Sequence, residues 1–125
     1  MKILHTADWH LGTFRSPVKD GVNLRTEDTK RCLNEMIRVA GEERPDYSLV
    51  SGDIFHSGKT WSDRCCEEIV TATHYIKELA AVSKQVVVMR GTPNHDGIGL
   101  FNVLAQTFEP FPNVHIVITP QVIPF

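Results

Sequence analysis

The stretch Gln85-Val86-Val87-Val88-Met89 has almost no polar residue in it. A β-branched run without a solvent-facing set is covered on both faces, as a central strand of a parallel α/β sheet is. Parallel neighbours need long crossovers, and the flanking sequence supplies them. Residues 62–82 place Cys65, Cys66, Ile69, Thr73, Ile76 and Ala80 on one helical face. Before it, Asp46-Tyr47-Ser48-Leu49-Val50-Ser51 reads as another strand, preceded by a helix that opens at Thr26 as N-cap. In that helix Leu33, Met36, Ile37 and Ala40 form the buried face, and Gly41 and Pro45 mark its exit. Lys2-Ile3-Leu4-His5-Thr6 reads as a short buried strand. Beyond the central strand come a very apolar helix over 98–108, a turn at Phe111-Pro112-Asn113 and a strand from Val114 to Ile118. Residues 11–25 show no periodicity and read as a loop. The expected fold is α/β, a mostly parallel sheet flanked by helices, with no linker or repeat to divide residues 1–125.

A chain of 125 residues, 42% hydrophobic, is large enough for one packed core. Its net charge of −2 gives no broad positive field for nucleic acid, although bound divalent ions would supply positive charge locally. Cys32, Cys65 and Cys66 are odd in number and lack a Cys-x-x-Cys spacing, so reduced thiols are expected. No apolar run reaches the roughly 20 residues that span a bilayer. These features lead to the expectation of a cytoplasmic protein with no membrane partner.

The polar residues fall at the strand ends. The first strand runs into Asp8 and His10, the second into Asp53, and the central one into Asn94 and His95. Taken singly, Asp53 reads as a helix cap and Asn94 as a turn residue. Together they lie along the carboxyl edge of a parallel sheet, where such folds bind ligands. Carboxylate, imidazole and amide donors suit divalent transition ions. Asp8 and His10 would hold one ion, Asp53 would bridge, and Asn94 would offer a neutral oxygen to a second. Two ions roughly 3.5–4 Å apart suit in-line displacement at phosphorus. His95 is then the candidate catalytic residue, protonating the leaving oxygen or stabilising charge on the phosphate. His56 and Arg15 are candidate substrate contacts. Asp96 reads as a cap for the following helix, Trp9 and Phe55 as packing beneath the ligands, His5 as a packed residue bonded to backbone, and His74 as surface.

Asp8-x-His10, Gly52-Asp53 and Asn94-His95-Asp96 resemble the first three motifs of the calcineurin-like metallophosphoesterases. More narrowly, Leu4-His5-Thr6-Ala7-Asp8-Trp9-His10-Leu11-Gly12 with Gly52-Asp53-Ile54-Phe55 resembles the SbcD-type DNA-repair exonucleases. The resemblance implies the N-terminal half of an αββα sandwich and a hydrolase cleaving phosphodiesters with two manganese ions. It also implies a DNA substrate, 3′-to-5′ exonuclease and single-strand endonuclease activity, a homodimer, and an SMC-like coiled-coil ATPase partner. Phosphatases and small-molecule phosphodiesterases share the scaffold, and a non-catalytic dimerising or docking fragment is a third reading.

Two departures from the family pattern stand out. Its third motif is commonly Gly-Asn-His followed by Asp or Glu, whereas Thr92 and Pro93 here separate Gly91 from Asn94. The family completes its site with further histidines, and His115, inside the last strand, is not expected to replace them. The expectation is therefore an N-terminal part of a longer nuclease domain, weakly active by itself. Ile98, Leu100, Phe101, Val103, Leu104 and Phe108 make the last helix apolar nearly all round, which favours a symmetric dimer through that helix.

Overall fold

The structure is a computed structural model that describes residues 1–12, 15–58 and 63–125, excluding the side chains of 63–66. Its elements in chain order are β1 (Ile3–Thr6), β2 (Val18–Lys19), β3 (Val22–Asn23), α1 (Leu24–Glu43), β4 (Tyr47–Val50), α2 (Asp63–Val82), β5 (Gln85–Met89), α3 (Ile98–Phe108) and β6 (Val114–Val117). Four strands form one parallel sheet in the order β1-β4-β5-β6. The parallel α/β expectation holds.

Register divides the sheet into two faces. Leu4, Ser48, Val86 and Val114 align across it, as do Thr6, Val50, Val88 and Ile116. Val50, Val86 and Val88 are fully buried beneath the three helices, which pack side by side. The opposite face carries His5, Leu49, Val87 and His115, and the C-terminal Phe125 lies against Tyr47 and His115 there. Val86 and Val88 are buried on the helical face and Val87 on the other, as their composition requires.

Several local readings are corrected. The first strand is not buried: β1 pairs only with β4 among the described residues, and Ile3 and His5 are exposed. His5 meets the Ser51 hydroxyl, Nε2 to Oγ 2.7 Å, rather than backbone. The 11–25 segment contains the β2–β3 hairpin, whose turn is Asp20-Gly21 with both residues at positive φ. That dipeptide is a strong hairpin signal, masked here because each strand is only two residues long. Helix α1 starts earlier than Thr26, because the Asn23 side chain accepts from the N–H groups of Arg25 and Thr26. In α2 the buried set is Ala72, Tyr75, Ile76 and Leu79; Cys65 and Cys66 lie outside the described side chains. Cys32 is a free, exposed thiol.

The apolar surplus expected on α3 is absent. Leu100, Phe101, Leu104 and Phe108 are buried within the chain, Val103 is half-buried, and Ile98 is the exposed member of the six. Phe101 meets Phe55 edge-on with ring centroids 6.4 Å apart, so the helix is anchored directly beneath the strand-end loops.

Asp96 is not the cap of α3, whose N-cap is Gly97 with no side-chain bond. Its carboxylate is fully buried and accepts from the backbone N–H of Phe55 (3.1 Å) and of Gly91 (2.7 Å). The loop after β4 is thereby clipped to the end of β5. Replacing Asp96 by Asn turns one acceptor into a donor that faces a buried N–H. We predict that Asp96→Asn loses about 1–3 kcal/mol of stability, as an unsatisfied buried donor does. Urea denaturation should show a lower midpoint with an unchanged slope; an unchanged midpoint would contradict the role.

Candidate metal centre

Past the ends of β1 and β4 the two chain segments stay side by side. Asp8 N–H bonds to Gly52 O (3.0 Å), His10 N–H to Asp53 O (3.0 Å) and Leu11 N–H to Ile54 O (2.8 Å), and His56 N–H returns to Leu11 O (2.8 Å). The pairing closes in a parallel bridge between Leu11 and Phe55. Trp9 and Phe55 are buried, as expected; the Trp9 indole N–H donates to the Thr6 hydroxyl (2.9 Å), and its ring meets Tyr75 edge-on. These anchors turn the intervening polar side chains outward.

Among the described residues five non-glycine positions have left-handed φ: Asp8 (57°), His10 (46°), Asp20 (53°), Arg44 (49°) and Asp53 (50°). Asp20 is in the hairpin turn and Arg44 closes α1, both ordinary places for this conformation. Asp8, His10 and Asp53 have no such local reason. Left-handed backbone at non-glycine residues costs roughly 1–3 kcal/mol each and gathers at functional sites. The same three residues offer ligand atoms that all lie within 4.8 Å of one another. Carboxylate, imidazole and carboxylate form a donor set that fits one divalent transition ion. Asp8 is largely exposed and His10 partly so, with His10 Nε2 3.5 Å from Asp8 Oδ1, so an ion can reach them from solvent.

Asp53 is held from the third loop. Its Oδ1 accepts from the Thr92 N–H (2.8 Å) and the Thr92 hydroxyl (3.0 Å). Burial pushes this carboxyl upward, but the Thr92 N–H and hydroxyl, with the nearby charges of His95 and His10, hold it below the usual carboxylate range. It therefore stays ionised, as a ligand must. The sequence alone assigns Thr92 no part. The signal is its place directly after Gly91, where the family pattern has asparagine.

A second group shares His10. Ring nitrogens of His10, His56 and His95 also lie within 4.8 Å of one another. Burial, followed by the fields of His10, His95 and Arg25, pushes the His56 imidazole down and favours its neutral form. Arg25 is thus the cation that bears on His56, whereas Arg15 is an exposed residue ahead of the hairpin. His95 is half-buried, its Nδ1 2.6 Å from the His56 carbonyl oxygen. Asn94 is exposed, and its carbonyl accepts the Gly58 N–H (2.8 Å). Burial raises the Asp96 carboxyl; the N–H groups of Phe55, Gly91 and Asp53 oppose the rise, and the Asp53 charge adds to it.

Against known proteins, the calcineurin-like phosphoesterase family matches residues 1–122. The chain belongs to that family. Within it, the chain is 28% identical over 109 residues to SbcD, a component of the nuclease SbcCD of Staphylococcus epidermidis. The match covers 87% of this chain and 26% of that relative, so the chain spans about a quarter of its length. The family hydrolyses phosphate esters with divalent ions, which agrees with the donor set at the strand ends. No helix among the described residues is long and apolar enough to cross a membrane.

Glycine controls the packing of these loops. A Cβ on Gly91 would lie 2.3 Å from both the backbone nitrogen and Oδ1 of Asp53, and one on Gly52 (φ +86°) would meet Gly91 Cα at 2.5 Å. Gly91→Ala changes no ligand but must displace Asp53. We predict manganese affinity at least about ten-fold weaker, since supports of metal ligands are worth about 10–100-fold. Isothermal titration of manganese into wild type and variant tests this; equal affinities would show that Asp53 is not positioned from Gly91.

Proposed function

We propose that the chain contributes to metal-dependent hydrolysis of phosphodiester bonds in DNA, as an SbcD-type nuclease. The observation that carries the reading is the meeting of Asp8, His10 and Asp53 at one sheet edge, each in left-handed backbone. The relative's name, that of a nuclease component, supports DNA as the substrate class.

In this reading Asp8, His10 and Asp53 hold the first ion, with manganese as the proposed metal. When bound, divalent ions supply Lewis acidity and an activated water. Asn94 is proposed as the amide-oxygen ligand of a second ion, with Asp53 shared. Both lone pairs of Asp53 Oδ1 are engaged by Thr92, and Asn94 faces solvent, so this second position is weak in these residues alone. His95 presents its imidazole beside His10, ring centroids 4.6 Å apart, where Nε2 can give a proton to a leaving oxygen or stabilise phosphate charge. His56 and Arg15 are proposed to contact the DNA backbone. A homodimer, an SMC-like coiled-coil ATPase partner and cytoplasmic residence complete the proposal by resemblance, with Ile98 the exposed apolar residue that α3 offers to a second copy.

End-labelled DNA and p-nitrophenyl phosphate, each with excess chain and manganese, test the reading. The expected result is slow cleavage of DNA, with the small ester a poorer substrate. His95→Ala should slow DNA cleavage by roughly 10²–10⁴-fold and leave manganese affinity unchanged. Loss of manganese binding with the rate retained at saturating metal would show His95 to be a ligand instead. Preference for the small ester would favour a phosphatase.

A further inference from the structure

The imidazoles of His10, His56 and His95 come from three different places, the loop after β1, the loop after β4 and the loop after β5. Their ring centroids stand 4.6 Å (His10–His95), 5.9 Å (His10–His56) and 5.9 Å (His56–His95) apart, and their ligand atoms lie within 4.8 Å of one another. His95 carries an independent sign of ligand orientation. Its Nδ1 is 2.6 Å from the His56 carbonyl oxygen. An Nδ1–H donated to a backbone carbonyl leaves the lone pair on Nε2 and fixes the ring, the outer bond that metal-bound histidines commonly make.

We propose that His10, His56 and His95 form a three-imidazole site for a zinc-class ion, exclusive of the ion held by Asp8, His10 and Asp53. Neutral imidazole suits zinc, nickel and copper(II), whereas manganese prefers carboxylate oxygen and binds most weakly of the divalent series. Zinc–nitrogen bonds of about 2.0–2.1 Å place tetrahedral ligands roughly 3.3 Å apart, so closure takes side-chain movements of about an ångström. Three protein ligands leave the fourth position to water. Exclusion follows from His10, which belongs to both groups. A neutral imidazole has a single nitrogen lone pair and cannot bind two ions at once. Zinc at the histidines takes His10 from the carboxylates and occupies His95. Resting on the hydrolase reading above, the zinc-loaded chain is therefore the inactive form.

The test needs no turnover. Zinc chloride is titrated into the chain calorimetrically, and free manganese is followed by electron paramagnetic resonance as zinc is added to the manganese-loaded chain. The expected result is one zinc per chain, with manganese released as zinc binds. His56→Gln and His95→Gln should each weaken zinc at least about ten-fold, the lower end of what even a ligand's outer partner is worth, and leave manganese affinity as in wild type. Two variants in different loops guard against one of them misfolding. Absence of zinc binding, zinc affinity unchanged in both variants, or zinc and manganese held together by one chain would overturn the site. Zinc affinity that depends on Asp53 but not on His56 would also overturn it, placing the ion among the carboxylates. Zinc binding that depends on His56 in a chain that never binds manganese would uphold the site and refute the hydrolase reading instead.

Discussion

Asp8, His10 and Asp53 occupy a backbone conformation that side-chain-bearing residues rarely adopt. At roughly 1–3 kcal/mol each, their combined cost is a large share of the 5–15 kcal/mol that stabilises a typical domain. The arrangement persists because two loops over-determine it. Backbone bonds join residues 8–11 to 52–56. Asp96 ties that layer to β5 from below, and Thr92 holds Asp53 from the side. The sheet sets where the strands end, and this lattice of short bonds sets what the ends present.

Physical division of labour runs through the edge. Apolar side chains are interspersed with the candidate ligands along the same loops: Trp9 and Leu11 are buried while Asp8 and His10 are more exposed, and Ile54 and Phe55 are buried between Asp53 and His56. The apolar members join the core cluster with Tyr75 and Phe101, so the ligands ride on a packed floor. Electrostatics follow from the same placement. Burial raises the Asp53 carboxyl, but the two Thr92 donors help to hold it below the usual carboxylate range, while partial desolvation, followed by the fields of His10, His95 and Arg25, pushes the His56 imidazole down. Both shifts favour the protonation states in which oxygen and nitrogen bind metal.

Most of the architecture is legible in the sequence because it is periodic. Parallel strands and crossover helices write themselves as apolar runs and helical spacings, and α3 and β5 lie at the expected 98–108 and 85–89. What escapes is set by bonds between distant residues or by very short elements. The hairpin has two-residue strands, and the α1 cap sits at Asn23 because its amide reaches Arg25 and Thr26. Asp96 looks like a cap from local spacing, yet it bonds to Phe55, 41 residues away. The same limit applies at the metal centre. Asp8, His10 and Asp53 are legible as candidate ligands at the strand ends, and the structure brings them together, whereas the Thr92 contact depends on how the Gly91-Thr92-Pro93 turn folds back over Asp53. The α3 apolar surplus vanishes for a related reason: a helix anchored on both Phe55 and β6 buries a wider stripe than its own spacing implies.

The central claim is that the strand ends assemble one ion site at Asp8, His10 and Asp53. Anomalous diffraction at the manganese edge, from crystals of the chain soaked in manganese, tests it most directly. The account predicts a peak within ligand distance of one oxygen of Asp8, one nitrogen of His10 and Asp53 Oδ2, with Thr92 still bonded to Oδ1. A peak elsewhere, or well-ordered strand ends with no peak among these three residues, would contradict it.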